Sequence, residues 1–424
     1  MTIASLHTPL RAAFRWGALL TLCAAPTQWT LIQNPRLGLA DVLLVVTAGL
    51  WGLGILLRRD WRGLWAARPH WTHLVFALCA GAAVFAAADR GEAVKEVIQI
   101  VEYFIVGAMV FAAFLNDEAH QANKAFAFAT LAIVTAGILS LAAIQYFALN
   151  GHDSIALFAE PKTLDIIVNV LGGKESPLLV GGTFGNRNVL GGFLALALPL
   201  CFAGALGGAR VWLAKTECAA LVLAGLAFNL SGASYWAVVI VIAAMAAARG
   251  AKWFIPVAAV LVLWQGLVLP NLPRENDMCH YESVALYDGD GQVSRRYPEW
   301  QAAASMILTH PWLGVGPGNY QKRVGQFYGQ VPNATGPAEP DIQNLYLVLG
   351  ASCGLPALLA FLAVLSTALV AAIKTGRLGL AGAVAAFAAT AVWHPLLVRG
   401  IGLPLVFVLV LSRHLAQEKM NDGR

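Results

Sequence analysis

Long apolar runs, separated by short polar segments, dominate the chain. A helix needs about 20 apolar residues to cross the roughly 30 Å hydrocarbon core of a bilayer. Such runs predict spanning helices near residues 13–32, 37–57, 71–88, 97–115, 122–148, 188–208, 213–230, 232–248, 253–270, 343–372, 377–394 and 396–412. The pattern therefore predicts an all-α polytopic membrane protein with about twelve transmembrane helices, in which residues 1–424 form a single transmembrane domain.

Composition strengthens this prediction. Of the 424 residues, 58% are hydrophobic and only 12% are charged, and the mean hydropathy is +0.67. Such values are typical of an integral membrane protein. The first apolar run follows a short polar start that has no small-residue cleavage site, so we expect a retained helix rather than a removable signal peptide.

Arginines cluster directly after the second predicted helix, at Arg58, Arg59, Arg62 and Arg68. Because cytoplasmic loops carry an excess of Lys and Arg, this loop is expected to be cytoplasmic. With an even number of helices, both termini are then cytoplasmic as well. The net charge of +5 is largely explained by such anchoring residues, so no nucleic-acid partner is expected.

Two long segments, residues 150–187 and 271–342, are then predicted to face outward, and the second forms a periplasmic loop. Within it Arg295 and Arg296 precede a predicted short amphipathic helix over 299–308, which a glycine-rich turn follows. Guanidinium groups bind phosphate oxygens through paired hydrogen bonds, so this pair suits a pyrophosphate. The alternative is ordinary surface charge in a solvated loop.

Polar residues enter the fourth predicted helix in the segment RGEAVKEVIQIVEYFIV. They recur at steps of three and four, which places them on one helical face: Glu92, Lys95, Glu96, Gln99 and Glu102. Ionisable groups at membrane depth often mark a substrate or ion path, whereas polar groups between helices also serve packing alone. Both interpretations stay open.

The segment GGTFGNRNVLGG places Asn186, Arg187 and Asn188 at a helix start between glycines. Asn186 can cap the helix, and the positive end of the helix dipole together with Arg187 favours a phosphate oxygen. The alternative is a glycine-rich turn whose arginine extends to the membrane interface.

The six cysteines form no spaced metal cluster, and a Cys279–Cys353 disulfide requires the outer loop to fold back.

Several motifs follow one another in a known order. They are GTFGNRN at a helix start, LSGASYW, an R-x-x-x-W-x-x-A segment that leads into PWLGVGPGNY, and NLYL entering a helix. In this order they resemble the O-antigen ligase and O-antigen polymerase superfamily. The resemblance covers residues 181–362, and the glycine-rich PWLGVGPGNY is its most specific element.

The resemblance implies a GT-C-like glycosyltransferase of the bacterial inner membrane. It would take a glycan from undecaprenyl diphosphate at the periplasmic face and deliver it to lipid A-core, or to a glycan or protein acceptor. It also implies that no cofactor and no metal is required, because the lipid diphosphate is itself the leaving group. The alternatives are an O-antigen or exopolysaccharide polymerase and a non-catalytic carrier or binding protein for lipid-linked glycans.

The predicted site residues fall into three groups. The pyrophosphate-binding residues are Arg187, Arg295, Arg296 and Lys95. The substrate-binding residues are Asn186, Asn188, Gln99, Glu102, Trp300 and Tyr320. The catalytic residues are Asp341, Gln343 and Asn344.

Gln343 departs from the family pattern, because related chains usually carry a histidine directly before the Asn of NLYL. An amide cannot take a proton at this position. Either Asp341 serves as the base, or the good leaving group makes a base dispensable. His280, His310 and His394 are further candidates, and helix capping is the alternative role for the Gln343–Asn344 pair. This chain also has Gly232 after Ser231, where relatives often have arginine.

Overall fold

We describe the protein from a computed structural model. It describes residues 3–27, 30–33, 36–117, 119–149, 182–184, 186–208, 212–228, 231–250, 259, 263, 292–328, 343–398 and 400–422. Most of the predicted span 253–270 lies outside these residues, as do residues 271–291 and 329–342 of the predicted periplasmic loop, Asp341 among them.

The described residues form fifteen α-helices and one two-stranded antiparallel sheet. In chain order the elements are α1 Ile3–Ala24, β1 Thr30–Gln33, β2 Arg36–Gly38, α2 Leu39–Arg58, α3 Trp61–Ala66, α4 Trp71–Ala82, α5 Arg90–Val101, α6 Ala108–Leu115, α7 His120–Leu149, α8 Arg187–Ala203, α9 Trp212–Phe228, α10 Gly232–Ala248, α11 Gln292–Thr309, α12 Tyr320–Tyr328, α13 Leu345–Lys374, α14 Leu378–Thr390 and α15 Gly402–Asp422. A π-helical turn, Glu102–Gly107, joins α5 to α6.

The architecture is that of an all-α membrane protein. Within the described ranges, five helices are long and apolar enough to cross a membrane: Leu39–Arg58, Arg90–Leu115, Gln121–Ile144, Asn188–Leu206 and Leu345–Lys374. Three shorter apolar helices accompany them, at Trp71–Ala86, Gly232–Ala248 and Leu378–Thr390. The total of twelve spans stays a prediction.

Two predicted spans differ from the helices at their positions. The run 13–32 continues only to Ala24 as α-helix, after which a short 3-10 turn and β1 follow. Pro26 has no backbone N–H to continue an α-helical ladder, which accounts for this end. The run 396–412 corresponds to α15, which begins later, at Gly402, and extends to Asp422.

One apolar core joins most of the helices. At its centre the rings of Phe76, Phe104 and Phe361 pack at centroid distances of 5.0 to 6.2 Å. The opposite faces of the same helices are also apolar, and side chains such as Leu78 and Phe85 are 71% and 79% exposed. A helix that is apolar all round matches a lipid environment, where no polar outer face is needed.

A buried arginine fastens α15 to α4 and α13. Arg413 donates to the Thr367 hydroxyl, to the Val364 carbonyl at 2.8 Å and to His73 Nε2 at 2.6 Å. Because a guanidinium only donates, His73 Nε2 accepts, and its Nδ1 donates to the Phe104 carbonyl at 3.0 Å. Both terminal nitrogens of the guanidinium and both ring nitrogens of His73 have partners on neighbouring helices, so we interpret the cluster as structural.

Candidate functional site

Helix α13 is broken near its start. Gly354 has φ 80° and ψ 169°, so the helix consists of two pieces that meet there. Pro356 follows two residues later and supplies no amide hydrogen, which leaves carbonyl groups at the end of the first piece without helical partners. The second piece, about 20 residues or roughly 30 Å long, still suffices to span a bilayer.

A loop from the segment predicted to face outward docks onto this break. It comprises Pro311–Asn319, between α11 and α12, and we call it the docked loop. The Val315 amide donates to the Ala351 carbonyl and the Gly316 amide to the Ser352 carbonyl, both at 2.9 Å. These bonds satisfy carbonyl groups that the break releases. In return, the Leu355 amide donates to the Pro311 carbonyl at 2.8 Å.

Glycines allow this close contact. A Cβ atom on Gly354 would lie 2.2 Å from the Trp312 carbonyl oxygen, and one on Gly314 would lie 2.4 Å from the Ala351 carbonyl oxygen. Both residues also have positive φ, which other residues adopt only with strain. Packing against the α13 backbone therefore accounts for Gly314, whereas a Cβ atom on Gly316 would meet Ala87 and one on Gly318 would meet Glu92 and Glu96 of α5.

The other end of the docked loop is anchored at the start of α5. The side chain of Asn319, fully buried, accepts from the Asp89 amide at 2.8 Å and donates to the Asp89 carbonyl at 3.0 Å. Asp89 in turn caps α5 through the Glu92 amide and pairs with Lys322 at 2.5 Å. The hydrogen bond from Lys322, followed by that from the Glu92 amide, holds the pKa of Asp89 below its ordinary value.

The docked loop also positions α11. Ala302, Ala303 and Met306 of this helix are fully buried in a cluster with Ala351 of α13. At the middle of α11, the Trp300 ring lies 5.4 Å from that of Trp393, which follows α14. α11 thus runs along the first piece of α13 towards the entry of that helix.

Helix α11 is longer than the short helix predicted over 299–308. It begins at Gln292, so Arg295 and Arg296 lie within it rather than before it. The amphipathic pattern over 299–308 covers only the part that packs against α13, which is why the sequence underestimated its length. Position 296 is four residues before Trp300 and so lies on the same face of α11. The side chains of Arg295 and Arg296 lie outside the described structure.

The entry of α13 is fastened to the end of α14. Asn344 caps α13 by accepting from the Leu347 amide at 3.1 Å, and the Leu345 amide donates to the Ala391 carbonyl at 2.9 Å. The Tyr346 hydroxyl donates to the Ala388 carbonyl at 2.7 Å. Asn344 therefore has a capping role, and these contacts bring the segment after α14 beside Gln343.

Three polar side chains meet at this entry, and we call them the entry cluster: Ser231, Gln343 and His394. Ser231 Oγ lies 3.1 Å from His394 Nε2, and His394 Nδ1 lies 3.3 Å from Gln343 Oε1. Ser231 and His394 are 1% and 3% exposed, whereas Gln343 is half-buried. The imidazole is thus contacted at both ring nitrogens.

Two adjacent glycines of α8 make room for the entry cluster. A Cβ atom on Gly191 would lie 2.8 Å from Ser231 Cβ, and one on Gly192 would lie 2.6 Å from a methyl carbon of Leu396. Helix α8 therefore packs closely against both segments, the one that carries Ser231 and the one that carries His394. A larger side chain at either position would push the neighbouring segment away from α8.

The remaining predicted site residues lie on other elements. Asn186 caps α8 by accepting from the Asn188 amide at 2.8 Å, and the Arg187 side chain lies outside the described structure. Lys95 pairs with Glu92 at 2.7 Å on a half-exposed surface.

Gln99 donates to the Tyr103 hydroxyl at 3.1 Å. Glu102 begins the π-helical turn, and such turns often accompany functional sites. Tyr320 is the buried first residue of α12.

The structure therefore brings together only part of the predicted site. Gln343 and Asn344 lie at one place, and Trp300 contacts the segment that carries His394. The pairing of Ser231 with His394 was missed, although His394 was one of three further candidates. A histidine between two apolar segments, in TAVWHPLLV, was the available signal.

Cysteines and metal ligands add no second centre to the described residues. Cys353 is a free cysteine that packs with Ala80, Ala83 and Ala357, and Cys279 lies outside the described structure. Within the described ranges, no group of three or more His, Cys, Asp or Glu side chains is arranged to hold a metal ion.

Comparison with known proteins bears on the docked loop and the first piece of α13. Residues 191–362 match the family model of the O-antigen ligase, and both elements fall within this range. This segment, less than half of the chain, matches an O-antigen ligase domain. The predicted resemblance to the O-antigen ligase superfamily is thereby confirmed for this segment, and the match supports a role of the O-antigen ligase or polymerase kind. No curated protein matches the chain. The O-antigen ligase domain includes Ser231 and Gln343 but ends before His394.

Proposed function

We propose that this protein is a glycosyltransferase of the bacterial inner membrane. It moves a glycan from undecaprenyl diphosphate to lipid A-core at the periplasmic face. The observation that carries the proposal is the O-antigen ligase domain, whose docked loop holds α11 against the entry of α13. A donor bound there would have its sugar beside the entry cluster and its lipid tail between apolar helices.

The arginines of α11 supply the charge that such a reaction needs. When the bond between the sugar and the diphosphate breaks, negative charge develops on the leaving phosphate, and preorganised cations stabilise it. Position 296 lies on the face of α11 that carries Trp300, which contacts the segment before His394. We therefore assign the diphosphate to Arg296, with Arg295 and Arg187 as further contacts.

Substitution of Arg296 tests this assignment. We expect Arg296→Ala to lower the transfer rate by about 10²-fold or more, as loss of a transition-state donor typically does. Arg296→Lys should recover part of the rate, because charge returns without the two-pronged geometry. The measurement uses protein in liposomes, an undecaprenyl-diphosphate-linked oligosaccharide as donor and lipopolysaccharide lacking O-antigen as acceptor.

Arg62→Ala is the matched control, since Arg62 lies in the loop predicted to be cytoplasmic. It should leave the rate near that of the wild type. If Arg296→Ala is equally active, Arg296 is surface charge and the diphosphate site lies elsewhere. Elongation of the lipid-linked glycan without lipopolysaccharide would instead favour a polymerase, and donor binding without any product would favour a carrier.

A further inference from the structure

The entry cluster has the geometry of a proton relay, an inference that rests on the proposed function. Its members come from three separate parts of the chain: Ser231 directly precedes α10 and its side chain makes no capping hydrogen bond, Gln343 precedes α13, and His394 follows α14. Tertiary packing alone brings them within hydrogen-bonding distance. No pair of them is close in sequence, which is why the motifs do not reveal the arrangement.

The two contacts of the imidazole define its tautomer. With Gln343 Oε1, an acceptor, facing Nδ1 at 3.3 Å, the proton of a neutral ring lies on Nδ1. Nε2 then carries the free electron pair and accepts from the Ser231 hydroxyl at 3.1 Å. Gln343 thus orients the ring, as the third member of a catalytic triad does.

We infer that His394 accepts the proton of the transfer reaction through Ser231, and that Gln343 positions it. The hydroxyl of the glycan acceptor approaches Ser231 Oγ, on the Nε2 side of the imidazole. The hydroxyl oxygen forms a bond to the anomeric carbon of the donor sugar, and the bond from that carbon to the diphosphate oxygen breaks with its electron pair. The hydroxyl proton passes to Ser231 Oγ, whose own proton moves to His394 Nε2.

In this relay His394 acts as the proton acceptor, a role that the amide of Gln343 cannot fill. Ser231 is the residue that meets the acceptor hydroxyl, and His394 and Gln343 act through it. General base assistance of this kind contributes about 10²–10⁴-fold to a rate. His394→Gln should therefore lower the transfer rate by about that factor, and Ser231→Ala should do so as well.

Other titratable groups occur on the elements packed around His394. They are Glu102 and Tyr103 before α6, Arg187 on α8, Tyr235 on α10, Arg295, Arg296, Tyr297 and Glu299 on α11, and Tyr346 on α13. Asp341 and Arg399 lie outside the described structure. All of them remain when only position 343 changes, so a difference between wild type and a variant at 343 reports the effect of that side chain on His394.

Gln343→Glu is the decisive variant, because Glu has nearly the same size and adds a carboxylate beside Nδ1. A neighbouring negative charge increases the proton affinity of an imidazole. The acid limb of the pH–rate profile should therefore move to higher pH, by about one unit or more, relative to wild type. In His394→Gln the corresponding limb should disappear. An unchanged acid limb in both variants would overturn the relay, even if their rates fall.

A spectroscopic measurement decides the same point without turnover. Protein labelled with ¹⁵N-histidine contains nine histidines, and His394→Gln identifies the signal of His394. We expect a neutral ring protonated on Nδ1, with a titration midpoint that rises in Gln343→Glu. A ring protonated on Nε2 contradicts the relay. If the wild-type protein transfers no glycan to any acceptor, both the proposed function and the relay are refuted. If the wild-type protein is active but its His394 ring is protonated on Nε2, only the relay is refuted.

Discussion

At the scale of single residues, Gly354 is the position on which the candidate site depends most. Its φ of 80° and ψ of 169° lie in a region that is essentially restricted to glycine. A side chain there would also meet the Trp312 carbonyl, with no flexible group that could move away. The broken helix and the docked loop therefore require the same residue.

Gly354→Ala should destabilise the protein and separate the docked loop from α13. Backbone strain alone accounts for about 1–3 kcal/mol, and the contact with the Trp312 carbonyl adds to it. Thermal unfolding in nanodiscs and hydrogen exchange at Val315 and Gly316 measure the two effects.

Gly376→Ala is the matched control, because Gly376 also has positive φ, at 69°, but no neighbouring atom within 4 Å of the added Cβ. It should cost only about 1–2 kcal/mol of strain and leave exchange in the docked loop unchanged. Equal effects of the two substitutions would mean that the close packing of Gly354 contributes nothing.

Single residues also mark the limit of prediction from sequence. Asn344 was recognised at the helix entry because a side chain and its own helix are neighbours in the chain. The contact of His394 with Ser231 joins two positions far apart in the chain, and only packing of α8, α10 and α14 creates it. The pattern of residues along one segment of the chain does not predict a contact with a distant segment.

At the scale of elements, the docked loop joins α5, α11 and α13. Asn319 anchors the end of the docked loop at α5, since it bonds both the amide and the carbonyl of Asp89. Asn319→Ala should leave the Asp89 amide without a partner, which typically costs about 1–3 kcal/mol, whereas the Asp89 carbonyl still accepts from the Ala93 amide at 3.2 Å. We expect a lower midpoint of thermal unfolding and faster proteolysis of the docked loop.

Lys322→Ala is the control for Asn319→Ala, because it removes an exposed ion pair with the same aspartate. Exposed ion pairs contribute little to stability, so this variant should resemble wild type. A larger effect of Lys322→Ala than of Asn319→Ala would show that charge, and not the buried amide, holds the docked loop.

Asp89 gives the docked loop a pH dependence of known sign. Its pKa is lowered in the folded protein, first by the hydrogen bond from Lys322. Such a carboxylate contributes stability that is complete above its unfolded pKa, about 4, and is lost as pH falls through the folded value. Between pH 7 and pH 3, wild type should lose more thermal stability than Asp89→Asn, which keeps a capping side chain but no charge. Parallel curves for the two proteins would exclude the contribution.

The helices themselves were largely predictable, whereas the break in α13 was not. Apolar runs report burial in lipid, and α2, α7 and α10 follow them closely. Gly354 and Pro356 lie within a continuous apolar run, and glycine and proline also occur inside unbroken membrane helices. Whether these two residues break the helix depends on the docked loop. This loop lies about 40 residues earlier in the chain, and its amides replace the hydrogen bonds that the break removes.

At the scale of the whole molecule, α13 connects the candidate site to the basic end of the bundle. The helix begins beside the entry cluster and ends at Lys374, whose carbonyl accepts from Lys419 at 3.3 Å. Arg413 contacts Val364, about ten residues or roughly 15 Å beyond the break. Because basic residues concentrate on the cytoplasmic side, the entry cluster and the docked loop are expected at the periplasmic face.

Reporter fusions test this orientation directly. A fusion after Arg62, in the basic loop between α2 and α4, should be active only with a reporter that works in the cytoplasm. A fusion near Gly289, just before α11, should be active only with a reporter that works in the periplasm. The lipid-linked donor and the lipid A-core acceptor meet on one side of the membrane, so a shared periplasmic location of α11 and the entry cluster is a condition of the proposed reaction. Reversed activity at both positions would place the entry cluster in the cytoplasm and rule out glycan transfer at the outer face.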